Sequence, residues 1–77
     1  MMSRAERLVQ VLTQLHAFDR AEDLARSIAQ ITGATLISSK KWITVRTELA
    51  LERDALRRNL GRSEREEFQR LMQEIDR

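Results

Sequence analysis

The stretch Leu15-His16-Ala17-Phe18-Asp19-Arg20-Ala21-Glu22-Asp23-Leu24-Ala25-Arg26-Ser27-Ile28-Ala29-Gln30-Ile31-Thr32-Gly33 decides how many helices this chain has. Its apolar residues at 15, 18, 21, 24, 28 and 31 step by three or four, the helical spacing, and continue almost in register across Asp19. One reading is a single rod of about thirty residues. The other is two helices, about 4–17 and 20–32, with a break or kink at Phe18–Asp19. Asp19 with Glu22 has the spacing of a capping box, an acceptor at the N-cap and a carboxylate three residues on, and this favours the break. Gly33 stands where a left-handed residue ends a helix in either case.

Working outward, Ser3 with Glu6 and Ser63 with Glu66 repeat the capping signature, while Leu8, Val11, Leu12 and Leu15 form the apolar face of the first helix. Ala34-Thr35-Leu36-Ile37-Ser38 has some extended character; a connector is expected there, with a short strand as the alternative and Ser38 or Ser39 as the next cap. A long helix follows, about 39–60. With Trp42 at zero and about 100° per residue, Val45, Leu49, Leu56 and Leu60 fall within about 60° of it, a narrow stripe of the kind found at helix–helix seams. Leu51 and Ala55 give its back a weaker apolar face. The last helix, about 64–76, shows Phe68, Leu71, Met72 and Ile75 at i, i+3, i+4 and i+7. The expected fold is therefore all-α and a single domain over residues 1–77. It is a three- or four-helix bundle, or a helical hairpin plus a C-terminal helix, that self-associates through Val45, Leu49, Leu56, Leu60, Phe68, Leu71, Met72 and Ile75.

Composition removes most chemistries. With no Cys and one His, neither a disulfide framework, a thiol nucleophile nor a zinc site of usual composition is available, and no cofactor or metal is expected. Gly33 and Gly61 are too far apart for a phosphate-cradling loop. No Ser lies in a G-x-S-x-G context, and carboxylates such as Asp54 and Glu66 have Arg58 and Arg70 one turn away, so an enzyme is not expected. His16 borders the apolar face near Asp19 and Arg20, which suits a structural contact. The uncharged run from Ser27 to Ser39 is too short and polar for a bilayer span, and the first residues lack the apolar stretch of a secretory signal. A cytoplasmic protein is expected, with no membrane and no small-molecule substrate.

The overall charge of +2 hides an uneven distribution, with net values of 0 over residues 1–33, +4 over 34–62 and −2 over 63–77. On the long helix Arg46, Arg53 and Arg57 form a line of about 16 Å beside the apolar stripe. Such a line either grips an acidic partner or phosphates, or consists of seam-flanking residues whose stems cover the stripe and whose heads pair with Glu on a neighbouring helix. Arg outnumbers Lys twelve to two, which suits carboxylate or phosphate recognition but equally follows from a GC-rich coding genome. Trp42 is either a core anchor or an interface hot spot.

Twenty-two large apolar residues beyond Met1 and Met2 make a small core, which favours a partner or self-association, a dimer first. The functional expectation is a small non-enzymatic regulatory or adaptor protein that occludes or bridges a protein partner, with Lys40, Lys41, Trp42, Arg46, Arg53 and Arg57 as its contact residues. Membrane-surface binding is disfavoured because Glu48, Glu52 and Asp54 interrupt the basic face.

The segment Ala25 to Thr44 also resembles a helix-turn-helix DNA-binding motif. Ala29 takes the small-residue position, Gly33 the turn, Thr35 the cap of the second helix and Trp42 a late apolar position. The resemblance implies a DNA-binding transcriptional regulator in which Lys40, Lys41 and Thr44 face the groove or backbone. It departs from the pattern at Thr32 and Ser39, which are usually apolar, and places Leu36 and Ile37 on the reading surface. An ordinary helical hairpin ending in glycine accounts for the same residues.

Overall fold

The computed structural model describes residues 1–33 and 40–75, and these are all-α. Three helices follow one another: α1 over Arg4–Thr32, α2 over Lys40–Asn59 and α3 over Arg62–Ile75. The expected connector over 34–38 with its alternative of a short strand, the caps at Ser38 or Ser39, and Thr35 lie outside the described residues, as do 39 and 76 at the expected helix bounds.

The break expected at Phe18–Asp19 is absent: α1 is one helix of 29 residues, about 43 Å long. Nothing between Leu15 and Thr32 opposes it, since the segment contains neither Gly nor Pro. Asp19 does not cap a helix; it sits inside one and turns outward to accept from Arg46 Nη2 at 2.9 Å. The box at Ser3 does form. Ser3 Oγ accepts from the Glu6 N–H at 3.1 Å, and Glu6 Oε1 from the Ser3 N–H at 3.2 Å. At the far end Gly33 has φ 72°, a left-handed conformation that L side chains rarely adopt.

The start of α3 also differs from expectation. It begins at Arg62, before Ser63, and the reaching-back carboxylate is Glu64, whose Oε1 accepts from the Gly61 N–H at 3.2 Å. Gly61 takes the cap position because Leu60 is drawn into the core, 6% exposed, which fixes where the chain turns. Glu66 accordingly lies one turn after Arg62, 3.9 Å away, and Asp54 pairs with its neighbour Arg53 at 3.1 Å. The sequence spacing had matched these two acids with Arg70 and Arg58.

Both α2 and α3 pack on α1 and not on each other. α2 runs antiparallel to α1, joined to it by ties from Trp42 and Glu22 at one end to Asn59 and Arg4 at the other. α3 runs parallel to the first half of α1, beginning beside Ser3 and Arg4 and ending near His16. The core is therefore the first half of α1: Ala5, Leu8, Val11 and Leu15 are buried, and outside α1 only Leu60 joins them among the described residues. Each fully buried Leu or Val side chain contributes about 1.5–3 kcal/mol, so Leu8 and Val11 anchor the fold.

Candidate functional site

At the N-terminal end of α1, polar side chains fasten the α2–α3 junction. Arg4 Nε donates to Glu64 Oε2 at 2.9 Å and its Nη1 to the Asn59 carbonyl at 3.2 Å, while Ser3 Oγ donates to Glu67 Oε1 at 3.2 Å. One turn on, Arg7 forms a two-pronged pair with Glu52, Nε to Oε2 at 2.5 Å and Nη2 to Oε1 at 2.7 Å. The hydrogen bonds from Arg7 hold the Glu52 carboxyl below its ordinary value, against the opposing effect of partial desolvation, and the same bonds push the Arg7 guanidinium up.

The middle of α1 receives the start of α2. The rings of Phe18 and Trp42 lie 4.4 Å apart, tilted by 60°, and Trp42 Nε1 donates to Glu22 Oε1 at 3.3 Å. Trp42 is half-buried here, joining the two helices with both its face and its N–H. Arg46 donates through Nε and Nη2 to Asp19 Oδ1, and this hydrogen bonding, followed by the charge of Asp19, raises its pKa.

Of the six expected contact residues, these bonds engage three. Arg46 is held by Asp19 across the seam, as a seam-flanking residue is, and Arg53 by its neighbour Asp54 on α2 itself, while Trp42 joins the hairpin. Lys40, Lys41 and Arg57 are exposed and have no ion pair among the described residues. The eight residues expected at a self-association seam divide as well. Val45, Leu49 and Leu56 share the side of α2 that carries Trp42, Arg46 and Glu52 toward α1 and are half-buried, and Leu60 is buried. The narrow stripe of α2 thus packs within the chain, because α1 is long enough to cover it. On α3, Phe68, Leu71 and Met72 are half-buried and Ile75 is exposed.

Two apolar features remain open. A cleft of about 580 Å³ lies between the helices, lined by Val9, Leu12, Thr13 and His16 of α1, Arg57 of α2, and Met72 and Ile75 of α3. His16 is exposed at its edge, and its side chain makes no hydrogen bond or ion pair with Asp19 or Arg20. The other feature is the far end of α1, where Leu24, Ile28 and Ile31 are 63%, 51% and 85% exposed. The sequence signal for this ridge was present in the 24, 28, 31 spacing, but it reads as a buried face until the position of α2 is known.

The geometry differs from that of a helix-turn-helix motif, whose two helices cross at about 90–120° after a turn of three or four residues. Here α2 lies back along α1, tied to it by Arg46 to Asp19 and by Arg7 to Glu52. Ala29 is half-buried and Gly33 ends α1, as an ordinary hairpin also requires.

Among the described residues no group of three or more His, Asp or Glu side chains is placed to hold a metal ion, and no helix is long and apolar enough to cross a membrane. Comparisons with protein-family models, with curated proteins and with solved structures find no match to this chain.

Proposed function

We propose that the protein is a small, non-enzymatic adaptor or regulator that acts by binding another protein chain, occluding or bridging it. The supporting observation is its surface. A compact protein of 9.0 kDa exposes about 4,900 Å², whereas this chain exposes 6279 Å². The difference, about 1,400 Å², exceeds the roughly 800 Å² that one partner contributes to a standard protein–protein interface. The elongated outline, 50 × 29 × 20 Å, has the same origin: no residue of α2 or α3 is fully buried, and α1 outruns its cover. A chain without cysteine suits a reducing compartment, and a cytoplasmic adaptor fits that composition.

Of the expected contact residues, Lys40, Lys41 and Arg57 are the cations left available for an acidic partner, since Arg46 and Arg53 already have carboxylates beside them. The test is capture of partners from native lysate on the tagged chain, with and without nuclease. Protein that stays bound after nuclease treatment, and is weakened by Lys40→Ala/Lys41→Ala, supports the reading. Loss of all bound material on nuclease treatment, with salt-dependent binding to duplex DNA, overturns it in favour of nucleic acid.

A further inference from the structure

The open cleft joins apolar walls to a single cation, and its shape follows from the packing. Both α2 and α3 lie on α1 and not on each other, so a gap is left between them with α1 as its floor. The floor residues Val9, Leu12, Thr13 and His16 are spaced i, i+3, i+4 and i+7, one stripe of α1 about 10 Å long. Met72 and Ile75, one turn apart on α3, form an apolar wall, and Arg57 reaches in from α2. Among the described residues no carboxylate lines the cleft, and Arg57 has no hydrogen bond or ion pair. Asp54, the acid one turn before it, is held by Arg53 at 3.1 Å. We propose that the cleft binds a straight-chain carboxylic acid of about ten carbons, its chain along the α1 floor against Met72 and Ile75 and its carboxylate on the Arg57 guanidinium. This ligand site goes beyond the protein-binding reading and does not depend on it.

Size decides the class of ligand. At about 580 Å³ the cleft is within the range of small-molecule pockets, roughly 300–1,000 Å³, which also form between the helices of bundles. Two turns of α1 and one of α3 are far less than the roughly 20–30 residues that one partner brings to a protein–protein interface. With C–C bonds of about 1.5 Å, an extended chain of about ten carbons matches the length of the floor. Charge decides the head group. A neutral apolar ligand would cover the walls and leave the guanidinium without an anion, whereas a carboxylate fits its planar fork and balances its one charge.

The experiment is calorimetric titration of the full chain with decanoate, 1-decanol and acetate, below the concentration at which micelles form, with methyl NMR to locate the site. Decanoate should bind once per chain and shift the Met72 methyl, and acetate should not bind. Decanol should bind about fivefold more weakly, the contribution of one partly exposed ion pair. Arg57→Gln should weaken decanoate to the level of decanol and leave decanol unchanged, a split that loss of fold would not produce. Thr13→Phe, at an exposed floor position, fills the cleft and should abolish binding with helicity by circular dichroism unchanged. Equal affinity for decanoate and decanol, or decanoate binding undiminished in Arg57→Gln, overturns Arg57 as the head-group site. Absence of decanoate binding, shifts confined to the Ile28 and Ile31 methyls, or native binding in Thr13→Phe overturns the cleft as the ligand site. Lysate capture judges the protein-binding reading separately in every case.

Discussion

The two halves of α1 have similar helical spacing and opposite fates. From Ala5 to Leu15, the residues Ala5, Leu8, Val11 and Leu15 keep to one side and are buried against α2 and α3. From Ala21 to Ile31 they are spaced just as regularly but lie on the other side of the helix, facing away from α2. The cause is the run 15, 18, 21, 24: each step of three falls about 60° short of a full turn, so the stripe migrates around the helix while every local window still looks amphipathic. Periodicity establishes that a helix has an apolar face. It does not establish that successive faces point the same way.

The sharpest way to break this comparison is to truncate one leucine in each half. Leu8→Ala should cost about 3 kcal/mol, because it opens a cavity where nothing else can collapse. Leu24→Ala should cost less than about 0.5 kcal/mol, measured by urea unfolding in dilute solution where any association is lost. Equal losses would mean that the far half of α1 is covered within the chain.

At the boundary between the halves, Trp42→Ala should cost about 2 kcal/mol by removing the ring packed on Phe18 and the bond to Glu22, with faster amide exchange in both helix segments it joins. The two ends of α1 come next. Ser3→Ala should destabilise by about 1 kcal/mol, since its hydroxyl both caps α1 and donates to Glu67. Gly33→Ala should cost about 1–2 kcal/mol through its left-handed backbone, although nothing within 4 Å crowds the added methyl.

The smallest effect is in the pH dependence of the packed half. The Glu52 carboxyl is held low in the folded state by Arg7, so this stabilisation is complete above the ordinary carboxylate range, about 4.3 for Glu, and is lost as pH falls through the lowered folded value. Thermal midpoints at pH 3 and pH 6 should therefore converge somewhat in Glu52→Gln. The difference will be modest, because both partners are partly in water.

Much of the fold is legible in the residues. The first cap at Ser3 and Glu6, the end of α1 at Gly33, and the helical character of the described chain follow from local chemistry that needs no distant partner. The misplaced caps show where local chemistry stops deciding. Asp19 and Glu22 have the cap spacing, but Arg46 and Trp42 approach from α2 and recruit both, and an uninterrupted helix then has nothing to terminate it. The basic line was half legible for the same reason. A row of arginines is visible in the sequence, and so is Asp54 beside Arg53, whereas the carboxylate that engages Arg46 becomes apparent only once α2 is laid on α1.

By itself, then, the sequence determined the all-helical class, the ends of α1 and the exclusion of cysteine chemistry, because composition, caps and spacing act within a few residues along the chain. The tertiary structure alone decided which apolar faces are used. Burial depends on what arrives from far along the sequence, and α2 and α3 arrive at the first half of α1, enclosing Leu8 and leaving Leu24, Ile28 and Ile31 to the solvent.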